Sequence, residues 1–167
     1  MAVPAGPVEC DMLMKKQSGF TLVEIMITVS VIGLLASLGA YAVRRGISNA
    51  RIKEASTELE MLSASTLQLA WDTGRWPNKT IRTKPGSIEI WDISSRVCGL
   101  MASDAIYENW KGPYYDGATV DPWGNPYFFD PDYRVDGKNR IVVGSFGPNG
   151  VGKNRYDKDD IYIFLDD

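Results

Sequence analysis

The sequence predicts an α+β chain: one long N-terminal helix, half membrane-spanning and half amphipathic, packed on a small antiparallel β-sheet. Three observations carry that reading. Residues 20–43 are a run of 24, nearly all apolar. Ile52, Ala55, Leu59, Leu62, Thr66 and Leu69 then recur at spacings of three and four, the period of a helix with one apolar face. The C-terminal third holds three short runs rich in β-branched or aromatic residues, at 127–129, 140–145 and 161–165.

The apolar run comes first. As a helix rising 1.5 Å per residue it would span roughly 36 Å, enough for a hydrocarbon layer of ~30 Å. A secretory signal has a shorter apolar stretch of about 7–15 residues and is cut after it. Lys15-Lys16 should stay cytoplasmic, with the remainder of the chain across the membrane, although Arg44-Arg45 places two positive charges at the other end. Gly33 and Gly39 lower helix propensity by about 1 kcal/mol each, and equally suit close packing between membrane helices.

Glu24 is the unusual member of this run. A charge inside the bilayer costs about 2.5–3.5 kcal/mol on insertion scales, and such residues usually have partners. On one reading Glu24 sits near the cytoplasmic interface and snorkels. On the other, cleavage between Gly19 and Phe20 creates an α-amine four residues away. An amine–carboxylate pair at ~4 Å and an effective dielectric of ~20 is worth about 4 kcal/mol, comparable with the insertion cost. One helix can hardly close that pair itself, whereas a neighbouring copy shifted along its axis can.

The amphipathic stretch follows, with Arg51, Lys53, Glu54, Glu58 and Glu60 between its apolar positions. It is too short and irregular for a coiled coil. Asp72-Thr73-Gly74 and then Pro77 stop it: glycine takes the left-handed cap and proline prevents resumption. Over residues 78–110 the expectations are a turn at Lys84-Pro85-Gly86, a short strand at 88–93 and a helical turn or two at 103–110. Beyond Lys111 the chain is rich in turns and aromatics, and Asp136-Gly137 suits a tight hairpin between the first two strands. The segments are thus 1–19, 20–43, 44–73, 74–110 and 111–167.

Composition excludes several functions. The 167 residues suffice for one compact domain plus the apolar segment. With 18 basic and 21 acidic residues the net charge is −3, which argues against a nucleic-acid binder. There is no histidine, so the commonest general base and metal ligand are both missing, and any metal would be held by oxygen. No nucleophile–base set is legible, and no catalytic residue is assigned. Cys98 reads as a small half-buried hydrophobe rather than a reactive thiol, because Cys10 lies in the segment before the apolar run and leaves it alone. Near the C-terminus, SFGPNGVGKNRYDKDDI (145–161) crowds Asn149, Asp157, Asp159 and Asp160 around flexible glycines. These are donors for a hard cation, and calcium takes 6–8 oxygens. The alternative is a solvated acidic turn, its charge damped by Lys153, Arg155 and Lys158.

Ser18-Gly19-Phe20-Thr21-Leu22-Val23-Glu24-Ile25 resembles the class III signal of type IV pilins and type II secretion pseudopilins. Met14-Lys15-Lys16-Gln17-Ser18-Gly19 is similar to a complete short leader, with Met14 or Met12 as the start. The resemblance implies cleavage after Gly19 by prepilin peptidase, methylation of Phe20 and a role for Glu24 in subunit docking. Many members carry a proline where Tyr41 stands. DPWGNPY (121–127), Trp110-Lys111-Gly112-Pro113-Tyr114 and Asp72-Thr73-Gly74-Arg75-Trp76-Pro77 resemble the major pseudopilin branch. By composition alone DPWGNPY is a structural loop offering Trp123 and Tyr127 to a core.

A pilin-like fold and a structural, non-enzymatic filament subunit follow from this resemblance. So do anchoring in membrane lipid before assembly, a C-terminal domain in the periplasm, and a filament in the periplasm or at the cell surface. The implied partners are further copies of the chain, minor pseudopilins and the inner-membrane assembly platform. The resemblance also implies calcium at Asp159, Asp160 and Asn149, with Asn149 standing where an aspartate is usual and Asp157 compensating. The rival readings are a surface type IV pilin, a membrane-anchored enzyme using the last loop's carboxylates, and a monomeric single-span binding module.

Overall fold

The computed structural model describes residues 19–103, 105–153 and 155–166. The leader ahead of Gly19, including Cys10, lies outside the described residues. Helix α1 runs from Leu22 to Thr73 without interruption. Thr21 caps its N-terminus, its Oγ1 accepting the Glu24 N–H at 3.2 Å. The stop is where the sequence places it: the Gly74 N–H donates to the Ala70 carbonyl, and Gly74 takes φ 69°, the left-handed cap.

The sheet is antiparallel with strand order β1-β2-β3, where β1 is Phe128–Val135, β2 is Lys138–Ser145 and β3 is Ile161–Phe164. Asp136 (φ 50°) and Gly137 (φ 77°) form the turn between β1 and β2, both left-handed as a two-residue hairpin needs. β1 and β2 therefore pair right up to the turn, and β1 is longer than the three residues expected. Asp130-Pro131-Asp132 looks like a strand breaker in sequence. It is accommodated as a bulge, because the register shifts between Asp130, opposite Val142, and Tyr133, opposite Arg140. Proline lacks a donor, so a bulge is one of the few places a strand accepts it.

Alternation along the strands divides the core in two. Phe129 and Val143 pack with the buried face of α1 (Leu59, Leu62, Leu69, Ala70), together with Trp76 and Tyr127. Phe128 and Val142 point the other way, into a smaller aromatic cluster with Tyr133 and Phe146 that Trp91 partly covers. The stripe on α1 begins at Ala55; Ile52, expected in it, is exposed. Cys98 is fully buried, and burial pushes its thiol up to about 12, which keeps it inert.

Residues 78–110 depart from expectation. The proposed strand at 88–93 is a single bridge between Ile90 and Phe129. The proposed helix at 103–110 is not formed; the described residues place one 3-10 turn at Arg96–Cys98 instead. The first turn closes at Lys84 N–H to Ile81 carbonyl (2.8 Å), ahead of Pro85-Gly86. Side chains replace regular ladders here. Asn78 Nδ2 donates to the carbonyls of Pro85 and Ile88, Trp110 Nε1 to that of Gly99, and Tyr107 Oη to that of Pro77. Buried backbone groups must find partners, and these polar and aromatic side chains supply them.

Candidate functional site

The N-terminal half of α1 is a surface that no described residue covers. Every residue from Gly19 to Glu54 is exposed, Phe20 at 78% and Leu22 at 76%. The helix is long and apolar enough there to cross a membrane. Its hydroxyls are compatible with lipid. Thr28 donates to the Ile25 carbonyl, Ser30 to that of Met26 and Ser37 to that of Leu34, at 2.7–2.9 Å. Glu24 lies in the first turn, where the helix dipole favours an anion. The spacing Thr21-Leu22-Val23-Glu24 is that of a capping box, a signal the sequence reading missed.

DPWGNPY is a structural loop. Its organising group is the buried carboxylate of Asp121, which accepts N–H groups from Trp123 (3.0 Å) and Asn125 (2.8 Å) and the Ser145 hydroxyl (2.5 Å). Ser145 Oγ in turn accepts the Gly147 N–H at 3.0 Å, so Asp121 ties this loop to the start of the acidic loop. Gly147 is forced: with φ 64°, a Cβ there would lie 2.0 Å from the Asp159 carbonyl oxygen. Tyr127 is fully buried and its hydroxyl donates to Glu58 on α1, whereas Trp123 is only partly buried. Lys111 and Tyr114 both reach Asp72 near the end of α1, at 3.1 and 3.2 Å.

The acidic loop brings together part of the set expected to bind calcium. Asn149 Nδ2 donates to Asp157 Oδ2 (3.0 Å), and Asp157 Oδ1 accepts the Asp159 N–H (2.9 Å). These amide donors hold the Asp157 carboxyl below its ordinary range. Asn149 Oδ1 is engaged by the Val151 N–H at 2.8 Å. Asp160 turns inward: Oδ2 accepts the Tyr133 hydroxyl at 2.6 Å, while Oδ1 is buried with no hydrogen-bond partner. Burial raises its pKa. Asp157 and Asn149 are thus in contact, Asp160 is linked through the Asp157 N–H (3.4 Å), and Asp159 contributes its backbone.

A second acidic cluster was not anticipated. One oxygen each from Glu89, Asp130 and Asp132 lies within 4.8 Å of the others. Glu89 comes from the irregular region and the aspartates from β1, so sequence separation hid them; Asp130-Pro131-Asp132 inside a strand was the available signal. Asp130 is fully buried, and its pKa is raised to about 7, chiefly by burial and then by the neighbouring acids.

Comparison with known proteins agrees with the fold and the N-terminal surface. The family profile described as "Prokaryotic N-terminal methylation motif" matches residues 14–40, and "Type II secretion system (T2SS), protein G" matches residues 93–163. The chain is 31% identical over 144 residues to the type II secretion system core protein G of Pseudomonas aeruginosa, covering 86% of this chain and 94% of that one. It is 27% identical over 148 residues to the core protein G of Xanthomonas campestris (86% and 87% covered). A fimbrial protein of Neisseria meningitidis is 29% identical over 107 residues, 58% of this chain and 62% of that one. No solved structure matches. With an exposed apolar helix, an α+β core and a relative of this similarity along most of its length, the chain belongs to the type II secretion system protein G family and is a pseudopilin subunit.

Proposed function

We propose that this pseudopilin is cut between Gly19 and Phe20 by prepilin peptidase, methylated at Phe20, and polymerised through its N-terminal helix into the periplasmic pseudopilus. One observation carries the reading: every residue from Gly19 to Val43 is exposed and, from Leu22 on, lies on an almost wholly apolar helix, while residues further along supply their own core. Such a surface requires lipid first and other copies of itself afterwards. Within that packing Glu24 of one copy meets the Phe20 amine of the next. The helix fixes register; the work is mechanical and needs no catalytic residue. Before assembly the chain is a single-pass inner-membrane protein with its C-terminal unit in the periplasm. Minor pseudopilins and the assembly platform are its remaining partners.

The acidic loop belongs to this proposal as a calcium site that fastens the C-terminal region. The partnerless Asp160 Oδ1 supports a cation there, with the Asp157 carboxylate beside it; the Asp159 carboxylate and the Asn149 carbonyl oxygen, which now accepts the Val151 N–H, would join on turning toward the ion. Asn149 brings no charge, so affinity falls below that of an all-aspartate site.

Mass spectrometry of the mature chain tests the processing step: the expected N-terminus is methylated Phe20, and a retained leader overturns the reading. Glu24→Gln should leave membrane insertion intact and abolish filaments in a shear assay; undiminished filaments would falsify the register role. The similarity to fimbrial proteins favours a second reading, a surface pilin, which long extracellular fibres in the native host would support.

A further inference from the structure

Strand β1 presents more acid to its bulge than a structural role explains. Ile90 and Phe129 exchange both backbone hydrogen bonds at 2.8 Å, which aligns Glu89 with Asp130 across the bridge. The bulge at Asp130-Pro131-Asp132 then brings the Asp132 carboxylate to the same place. Asp132 donates its N–H to Asp130 Oδ1 at 2.8 Å, which leaves Asp130 Oδ2 buried, at 0% residue exposure, with no hydrogen-bond partner. An orphaned carboxylate oxygen in the interior keeps its desolvation penalty with no bond to offset it, and more so when charged. Glu89 and Asp132, gathered around Asp130, add mutual repulsion. Among the described residues neither ion pair, Lys111–Asp72 nor Arg140–Asp166, involves any of the three.

We propose that Glu89, Asp130 and Asp132 form a calcium site, separate in its ligands from the acidic loop. The donor set is entirely carboxylate oxygen, the preference of a hard divalent cation. Calcium–oxygen distances of about 2.3–2.6 Å allow oxygens on opposite sides of one ion to stand up to ~5 Å apart. The three oxygens, all within 4.8 Å of one another, meet that limit without backbone movement. Glu89 and Asp132 are partly exposed, which gives the ion an entry path and room for water as further ligands. The ion would satisfy Asp130 Oδ2 and clamp the segment before Trp91 to β1. It would thereby brace the aromatic cluster formed by Phe128, Tyr133 and Phe146. Asp130 and Asp160 border one narrow cleft, together with Lys153 and Arg155, so the two sites must be separated by mutation.

The test uses the full chain in detergent micelles, stripped of metal by a chelator and dialysed against radioactive calcium at physiological salt. In an Asp157→Asn/Asp160→Asn background, which disables the loop, one calcium per chain should remain bound. Adding Glu89→Gln and Asp132→Asn, at partly exposed positions, should weaken that binding by about tenfold or more, because affinity follows ligand charge. Asp130→Asn should raise the melting temperature of the calcium-free protein and abolish the calcium-induced rise in the loop-disabled background. No calcium bound in that background, or undiminished binding after the Glu89 and Asp132 changes, overturns the proposal. The acidic loop is tested separately: with the loop unmutated, a second equivalent of calcium should bind, and its absence would count against the loop site alone.

Discussion

Leu35 and Leu62 are the same side chain on the same helix, yet Leu35 is 62% exposed and Leu62 fully buried. Around Leu35 the neighbours one turn away, Val31, Ile32 and Leu38, are apolar, and no charged residue lies within two turns. Around Leu62 they alternate with charge: Glu58 and Glu60 lie nearby, and Glu58 accepts the Tyr127 hydroxyl. A helix apolar on all sides has no interior to face within its own chain, so its burial must come from lipid or other copies. A helix apolar along one stripe is covered by its own sheet. One continuous element therefore serves two energetics: the first half stores its hydrophobic gain for assembly, and the second spends nothing outside the subunit.

That contrast can be broken or sharpened by matched substitutions. Leu62→Ala should destabilise the folded unit by about 2–5 kcal/mol, through lost transfer energy and the cavity left behind. Leu35→Ala should leave thermal unfolding of the subunit in micelles unchanged. Differential scanning calorimetry of both variants decides the matter, and equal losses would erase the distinction. Asp121→Asn comes next, at about 1–3 kcal/mol, because the Ser145 hydroxyl and two backbone N–H groups depend on that carboxylate. Chemical denaturation reads this loss, which should appear with filament assembly otherwise competent. Lys111→Ala should be the mildest, at about 0.2–1 kcal/mol, since Lys111 is 68% exposed where it meets Asp72. Added salt should shrink even that difference in the same denaturation curves.

The legible parts were those governed by periodicity or by a residue with one conformational use. Gly74 ends α1 and Asp136-Gly137 turns the hairpin because left-handed backbone favours these residues strongly. The stripe from Ala55 to Leu69 follows from 3.6 residues per turn. The connection before β1 was read least well. Asn78, Tyr107 and Trp110 hold it by donating to carbonyls at sequence distances of 7 to 30 residues, and such partners leave no local pattern. Of the candidate site residues, Phe20 and Glu24 stand out by their place in an apolar run. Asp160 was legible as a candidate cation ligand, but nothing beside it in the chain shows that it turns inward to Tyr133.

By itself the sequence determined the long helix, its stop, the hairpin and the apolar surface that must be covered by something outside the subunit. Those features depend on residues close in the chain, on period and on the conformational limits of glycine and proline. Only the tertiary structure decided that Asp121 ties two loops together, that β1 bulges over Pro131, and that Glu89 meets Asp130 and Asp132. These juxtapositions are made by strand register and by side chains brought from separate segments. A carboxylate's chemistry depends on how much water and which partners the fold leaves around it, and neither is written beside it in the chain.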